Sequence, residues 1–378
     1  MILHIVHDDK FADMAYRAFE NARPGANEFV VLGREKPLKY IRTAPIRFVN
    51  FLQLHTGAFA KTLKEYDLVV LHWLDGDKIR LLRQADKSVK FVWIGWGADY
   101  YDLICRTEEL LKPLTLNEVK GSGREREHIS GRIKKVLKSI LGREKDRKSV
   151  MSRINFFSAP LYEDYRMIKE CYPGFTPVYV PWNYGSLEDD LVRGFEGASA
   201  SGNDILVGNS ATATNNHFDI FEAVKRLDLK GRKIICPLNY GDADYGKRVI
   251  ARGEELFPGE FIPIREHMQL PDYLKTLTSC SIAVMGHIRQ QAGGNIIMLL
   301  HLGTKVFLDP RNPWYAFFKN EGAAIFSLDE LEREAGSRLG GEQVEHNRAI
   351  LRKHWGREAI RRKTVDLIAV VSGDGGSK

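Results

Sequence analysis

Cysteine is scarce and scattered. Cys105, Cys171, Cys236 and Cys280 form no CxxC pair, which argues against a disulfide framework or a cysteine zinc site and for reduced thiols in a cytosolic protein. No stretch approaches the roughly 20 apolar residues of a membrane span. No basic leader precedes an apolar run; Met1-Ile2-Leu3-His4-Ile5-Val6 opens directly as a strand, so export is not expected. No GxGxxG follows that strand, which removes the main support for dinucleotide binding. The P-loop, the GxSxG elbow and HExxH are absent, and no His/Asp/Glu group has metal spacing, so neither cofactor nor metal is expected. Helix-turn-helix, RRM and zinc-finger patterns are missing, and the cations are not interleaved with aromatics. Nucleic acid is therefore not expected as a partner.

What is present suits two domains. The 378 residues are 44% hydrophobic, enough for real cores, and the net charge of +7 suggests an anionic partner. Short apolar runs at Ile2–Val6, Glu28–Leu32, Asp67–Leu71, Lys90–Ile94 and Ile154–Phe157 read as strands. Helical spacing follows at Phe11–Ala22, Arg47–Lys64, Lys78–Ala85 and Leu161–Cys171. A run rich in Gly, Ser and Ala between Pro181 and Asn203 reads as a connection, after which the pattern restarts with strands at Ile205–Val207, Lys233–Cys236, Phe261–Ile264 and Lys305–Leu308. A helical region from Glu342 to Val370 closes the chain. Alternation at this spacing predicts parallel sheets covered on both faces, with ligands at the carboxyl ends of the strands. The expected domains are 1–182, 183–345 and a terminal helical region 346–378 able to pack back on the first.

The chain is organised around Met285 to Gly303. A buried strand, Ser281–Met285, leads into a loop carrying Arg289, Gln290, Gln291, Gly293 and Gly294, and an unbroken apolar helix follows. Free amides at a helix N-terminus, a glycine that admits close approach and an arginine fork together suit a diphosphate. The alternative is an ordinary strand-to-helix turn with a surface arginine. Asp99, in Gly95-Trp96-Gly97-Ala98-Asp99 after a strand, either accepts a proton from an acceptor hydroxyl or caps a helix over Tyr100–Leu111. His7 and His72 also follow strands and read either as site residues or as structural histidines. Asp75-Gly76-Asp77 resembles a metal-holding DxD, with capping of the next helix as the simpler account. The loop Gly208-Asn209-Ser210, with Thr212, Thr214, Asn215, Asn216 and His217, suits a phosphate or sugar, and Tyr240 after the next strand suits a nucleoside.

Residues 120–148 interrupt the first domain with a basic amphipathic pattern. Ile133, Val136, Leu137, Ile140 and Leu141 share one helical face, with Lys134, Lys135 and Lys138 on the others. That pattern predicts contact with an anionic membrane surface, or else an ordinary packed surface helix.

Four segments taken together, Ile94-Gly95-Trp96-Gly97-Ala98-Asp99-Tyr100, Ile205-Leu206-Val207-Gly208-Asn209-Ser210, Arg289-Gln290-Gln291 with the following glycine and helix, and Arg311-Asn312-Pro313-Trp314, resemble the family that transfers 4-acetamido-4,6-dideoxygalactose (Fuc4NAc) from its dTDP sugar to lipid II of enterobacterial common antigen. The resemblance implies a metal-independent GT-B glycosyltransferase with two Rossmann-like domains facing a central cleft. It implies a dTDP-sugar donor on the C-terminal domain, an undecaprenyl-diphosphate-linked glycan acceptor on the N-terminal one, and a peripheral place on the cytoplasmic face of the inner membrane. On that footing Asp99 becomes the candidate catalytic group, and Arg289, Gln290, Gly293, Gly294 and Asn295 become diphosphate contacts. Asn209, Ser210 and Tyr240 surround the nucleotide sugar, and His7, His72 and Trp96 meet the acceptor. Rival readings are a GT-B enzyme with another nucleotide sugar or a non-lipid acceptor, a sugar-nucleotide epimerase of similar fold, and a nonenzymatic binder using its basic helix.

Overall fold

A computed structural model describes residues 1–124 and 148–372. The chain divides into two compact units, the first comprising described residues 1–104, 148–186 and 355–372, the second 105–124 and 187–354. The membrane-binding helix expected within 120–148 lies almost wholly outside the described residues. Among those described, no helix is long and apolar enough to cross a membrane.

In the first unit seven parallel strands run β3-β2-β1-β4-β5-β6-β7, with β1 Ile2–Val6, β2 Asn27–Leu32, β3 Ile46–Val49, β4 Leu68–His72, β5 Phe91–Ile94, β6 Phe156–Ser158 and β7 Val178–Tyr179. The central strands β1, β4 and β5 are buried along their whole length, as expected where helices cover both faces of a parallel sheet. The helix Lys10–Ala22 turns Ala12, Ala15 and Phe19 inward, where they meet Leu367 and Val371 of the terminal helix Arg357–Ser372. Trp182 Nε1 donates to Thr364 Oγ1 of that helix at 2.9 Å.

The second unit repeats the plan with six strands ordered β10-β9-β8-β11-β12-β13. These are β8 Asp204–Val207, β9 Ile234–Pro237, β10 Phe261–Ile264, β11 Cys280–Met285, β12 Lys305–Leu308 and β13 Phe326–Ser327. In both sheets the winding reverses beside the first strand of the unit, between β1 and β4 and between β8 and β11. A parallel sheet opens its ligand crevice at such a reversal, beyond the carboxyl ends of the strands.

Two helical expectations were wrong. Arg47–Lys64 is not one helix: Ile46–Val49 pairs in parallel with β2, and Arg47 Nε meets Glu28 Oε1 at 2.6 Å across the pair. The helices Phe51–His55 and Ala58–Thr62 follow, separated at Gly57, whose φ is +72°. Tyr100–Leu111 forms only the short 3-10 turns Tyr101–Leu103 and Thr107–Leu110. Both tyrosine hydroxyls, of Tyr100 and Tyr101, donate to the buried Asp164 at 2.9 Å, which pulls the segment into the core.

Candidate active site

The switch point of the second unit is a joined pair of polar loops. One leaves β8 as Gly208-Asn209-Ser210; the other leaves β11 as Gly286-His287 and runs to Gln291. His287 Nε2 sits 3.0 Å from Asn209 Oδ1 and 2.8 Å from Asn215 Oδ1. Two amide oxygens require the proton on Nε2, and burial keeps the ring far below the ordinary histidine range, so it is neutral. Gln291 Nε2 donates to Asn209 Oδ1 (3.1 Å) and Thr212 Oγ1 (3.2 Å), while its Oε1 accepts from Thr214 Oγ1 (2.7 Å). Asn209 Nδ2 in turn donates to Tyr240 Oη at 2.6 Å, bringing in the loop after β9. Three strand ends are thereby locked together through amide side chains.

Behind these loops stands a supporting layer. Asn312 Nδ2 donates to the His287 carbonyl (3.0 Å), and its Oδ1 caps the helix Pro313–Asn320 through the Trp314 N–H (3.0 Å). Asn216, at φ +55°, donates to the Gly286 carbonyl (2.8 Å) and accepts from the Lys112 N–H (2.7 Å). Asp309, after β12, accepts two bonds from Arg311 at 2.9 Å and pairs with Lys112 at 2.7 Å. Burial alone would raise its carboxyl, but those partners hold it at about 2.

The helix Gly293–Leu302 starts after Ala292, which has φ +61° and offers no side-chain cap. The amides of its first turn are left without the usual side-chain acceptor, which gives an anion-binding end. The two glycines there differ. A Cβ on Gly293 would fall 2.3 Å from Trp314 Cζ2, so this glycine serves packing against the indole. A Cβ on Gly294 would meet only Leu191 Cδ2, at 3.7 Å, so packing does not demand glycine there. Gly294 is exposed, and Arg289 and Asn295 are half-buried nearby in sequence.

The switch point of the first unit carries titratable groups. His7, just beyond β1, places Nε2 2.6 Å from Asp75 Oδ2, beyond β4. The Lys78 ammonium, 1% exposed, lies 3.2 Å from the same nitrogen and 3.3 Å from Asp75 Oδ2. Burial pushes the Asp75 carboxyl up, but the His7 bond, the Lys78 charge and the Lys78 N–H outweigh it and hold it below the carboxylate range. Asp75 also caps the helix Gly76–Gln84, accepting from Asp77 and Lys78 N–H groups at 3.0 Å. A cavity of about 480 Å³ opens beside it, lined by Trp73, Asp75, Arg80, Arg83 and Asp99 among others.

Asp99 lines that cavity yet is 2% exposed. Its Oδ2 accepts from Leu74 N–H (3.0 Å) and Trp93 Nε1 (2.8 Å), and its Oδ1 accepts from Trp96 N–H (2.8 Å). It clamps the loops after β4 and β5 together and caps no helix, so the capping alternative is corrected. Burial raises its carboxyl against those three donors. His72 is also corrected as an acceptor contact. It is 1% exposed, with Nε2 3.1 Å from His4 Nδ1 and Nδ1 2.6 Å from Tyr184 Oη. Trp96, half-buried, donates to that same tyrosine hydroxyl at 3.0 Å.

In the second unit Ser210 is fully buried among Thr212 and Asn215, and Gln290 is 5% exposed. Neither side chain faces outward; Gln291, the next residue, is the amide that joins the β8 loop, through Asn209, Thr212 and Thr214. Tyr240 is 55% exposed and Asn209 6%. His287 and Lys78 were not singled out by the sequence, whereas Asn215, Gln291 and Asp75 stand in segments that it marked without assigning these side chains a place in the site. Only the strand order, which sets β8 beside β11 and β1 beside β4, brings them together. Among the described residues no three His, Cys, Asp or Glu side chains gather as a metal would require.

Residues 191–347 match the family described as 4-alpha-L-fucosyltransferase glycosyl transferase group 56. The fold is similar to that of a glycosyltransferase from Rickettsia africae (TM-score 0.65, 12% identity, covering 100% of this chain and 99% of that one). It is similar as well to the HepE protein of Anabaena, solved with UDP and glucose (TM-score 0.63, 12% identity, 98% and 99% covered). The lipopolysaccharide outer core galactosyltransferase WaaB gives TM-score 0.61 at 11% identity, with 98% and 99% covered. At such identities the likeness is one of fold, the two-Rossmann GT-B class. The chain therefore has the GT-B fold, and its residues 191–347 match the family of 4-alpha-L-fucosyltransferases of glycosyl transferase group 56.

Proposed function

We propose that the enzyme moves a deoxyamino sugar of the Fuc4NAc kind from a dTDP-sugar to an undecaprenyl-diphosphate-linked saccharide, as a peripheral protein on the cytoplasmic face of the inner membrane. The observation that carries the donor half is the locked pair of loops at the β8/β11 switch point, beside a helix N-terminus without a side-chain cap. Asn209, Gln291 and Tyr240 hold the sugar nucleotide, while Arg289 and the amides of Gly294 and Asn295 receive the diphosphate. The identity of sugar, nucleotide and lipid rests on the family resemblance of the four segments named above.

The acceptor half rests on His7 and Asp75. The acceptor hydroxyl oxygen attacks the anomeric carbon, the bond from that carbon to the phosphate oxygen breaks, and the dTDP leaves with the bonding pair. His7 takes the hydroxyl proton, with Asp75 fixing the imidazole and stabilising the imidazolium that results. Asp99 is assigned as a positioning residue, because its lone pairs already hold three N–H groups. The charge that grows on the leaving diphosphate is neutralised by the Arg289 fork and the helix amides, as any departure of this kind requires. No step calls for a metal.

The test has two parts. Thermal shift across dTDP, UDP, GDP and CMP should show the largest rise with dTDP. Incubation with dTDP-Fuc4NAc should release dTDP only when a polyprenyl-diphosphate saccharide is present. A protein shifted by none of these nucleotides would end this reading, and conversion of the donor without acceptor would indicate epimerase chemistry instead.

A further inference from the structure

The loop from β2 to β3 passes the carboxyl edge of the first sheet. Asp8 accepts from the backbone N–H groups of Lys39 (2.7 Å), Tyr40 (2.9 Å) and Ile41 (3.2 Å). Asp13 does the same for Arg42 (2.8 Å), Thr43 (3.1 Å) and Ala44 (2.9 Å). Both carboxylates are thus engaged chiefly with the backbone, Asp8 also feeling the charge of Lys36, and no ion pair joins either to a cation of the loop among the described residues. Toward solvent the loop presents Arg34, Lys36, Lys39 and Arg42 against the single acid Glu35, all exposed. Tyr40, 41% exposed, lies under the Lys39 ammonium at 4.9 Å from its ring centre.

At the same edge β3 ends in an apolar tip. Asn50 and Gln53 form a capping box that starts the helix Phe51–His55. Leu54 is its buried anchor, while Phe51 and Leu52 stand 67% and 69% exposed, the most exposed large apolar side chains among the described residues. The tip is held in place. The His55 ring stacks on Phe51 at 3.5 Å, Arg80 bonds that ring, and Gln84 Nε2 donates to the His55 carbonyl at 3.4 Å. Adjacent apolar side chains on a fixed frame, at a sheet edge that also carries cations on long flexible stems, fit a fluid anionic surface. They do not fit a protein partner well, since two side chains supply far less than the roughly 800 Å² per side of a stable interface.

We propose that this edge seats the enzyme on an anionic bilayer, with Phe51 and Leu52 entering the acyl boundary and Arg34, Lys36, Lys39 and Arg42 meeting lipid phosphates. The proposal deepens the lipid-linked-acceptor reading, on which it rests, and uses none of residues 125–147. Flotation of the full-length protein with phosphatidylcholine vesicles, with and without phosphatidylglycerol, tests it. The parent should float with the anionic vesicles and not with the neutral ones. Phe51→Ser/Leu52→Ser should lower that partition at least about tenfold, and Lys36→Glu/Lys39→Glu should lower it as well. Sugar transfer to a water-soluble acceptor analogue and the thermal midpoint should be those of the parent in both variants. A parent that stays in solution, or a Phe51→Ser/Leu52→Ser variant that floats like the parent, overturns the proposal. A parent that floats but transfers sugar to no acceptor counts against the transferase substrate reading alone.

Discussion

His7 Nε2 lies 2.6 Å from Asp75 Oδ2, so a hydrogen bond joins the ends of β1 and β4 where the first sheet reverses its winding. The two residues are 68 apart in sequence and are supplied by different loops. Asp75 fixes one imidazole nitrogen, and the other, Nδ1, lies 3.4 Å from the Lys78 ammonium, which a ligand must displace to reach it.

His7→Ala is expected to lower kcat by roughly 10²–10⁴-fold, the usual worth of a positioned general base. The thermal midpoint should change little, because the side chain is 42% exposed. Asp75→Asn, which can still cap the helix, should lower kcat by a smaller factor. Steady-state rates on a soluble acceptor check both; parent-like turnover in His7→Ala would remove it from the reaction.

Asp99→Ala acts mainly on stability. It leaves the N–H groups of Leu74, Trp93 and Trp96 without their acceptor in a buried place, at a cost of about 3 kcal/mol overall. Urea unfolding measures this directly. A variant as stable as the parent would show that the clamp is not structural and return Asp99 to the list of proton acceptors.

The paired glycines separate packing from binding. Gly293→Ala should destabilise by about 1–3 kcal/mol, since its methyl would collide with Trp314. Gly294→Ala should keep the parent midpoint and weaken dTDP binding, read by calorimetry, because its methyl covers the amide approach. Equal dTDP affinity in Gly294→Ala and the parent would move the diphosphate elsewhere.

Arg289→Ala and Gln291→Ala should both leave the midpoint within about 1 kcal/mol of the parent in stability. The arginine variant is expected to lose kcat, having lost charge that acts on the leaving diphosphate. The glutamine variant is expected to raise KM for the donor by about tenfold, the worth of a hydrogen bond and the locked loops. Initial-rate kinetics that reversed this split would reverse the two roles.

Asp9 gives a pH-dependent test. Burial raises its carboxyl to about 6, against the N–H of Phe11 and the charges of His7 and Lys78. An acid whose folded value is raised binds its proton more tightly when folded. Its contribution is therefore full below about 4 and is lost as pH rises through about 6, on the order of 2 kcal/mol in all. Asp9→Asn, still able to accept from Phe11 N–H, should exceed the parent in stability at pH 8 and match it near pH 4. A constant difference across that range would contradict the raised value.

The sequence by itself determined the elements whose physics is local. Ile2–Val6 and Lys305–Leu308 are strands at the expected residues, because short, largely apolar runs bounded by turns bury both faces inside a parallel sheet. The loop and helix around Arg289–Asn295, and the α/β alternation that makes a GT-B fold, follow from the same reading. Tertiary structure decided the rest. Ile46–Val49 is a short run of strand-forming residues whose spacing also suited a helix, and the edge of β2 decided between them. His7, His72 and Asp99 all stand at ends of the interior strands β1, β4 and β5, yet only His72 and Asp99 are buried, because His72 is still inside β4, between His4 and Tyr184, and Asp99 turns back to hold three N–H groups. Gln291 and not Gln290 bonds Asn209 for a reason no pattern contains: which of two adjacent amides faces Asn209 depends on how the β11 loop turns toward the end of β8. Spacing along a chain sets which side chains share a face; which loops share a site is set by the order of strands in the sheet.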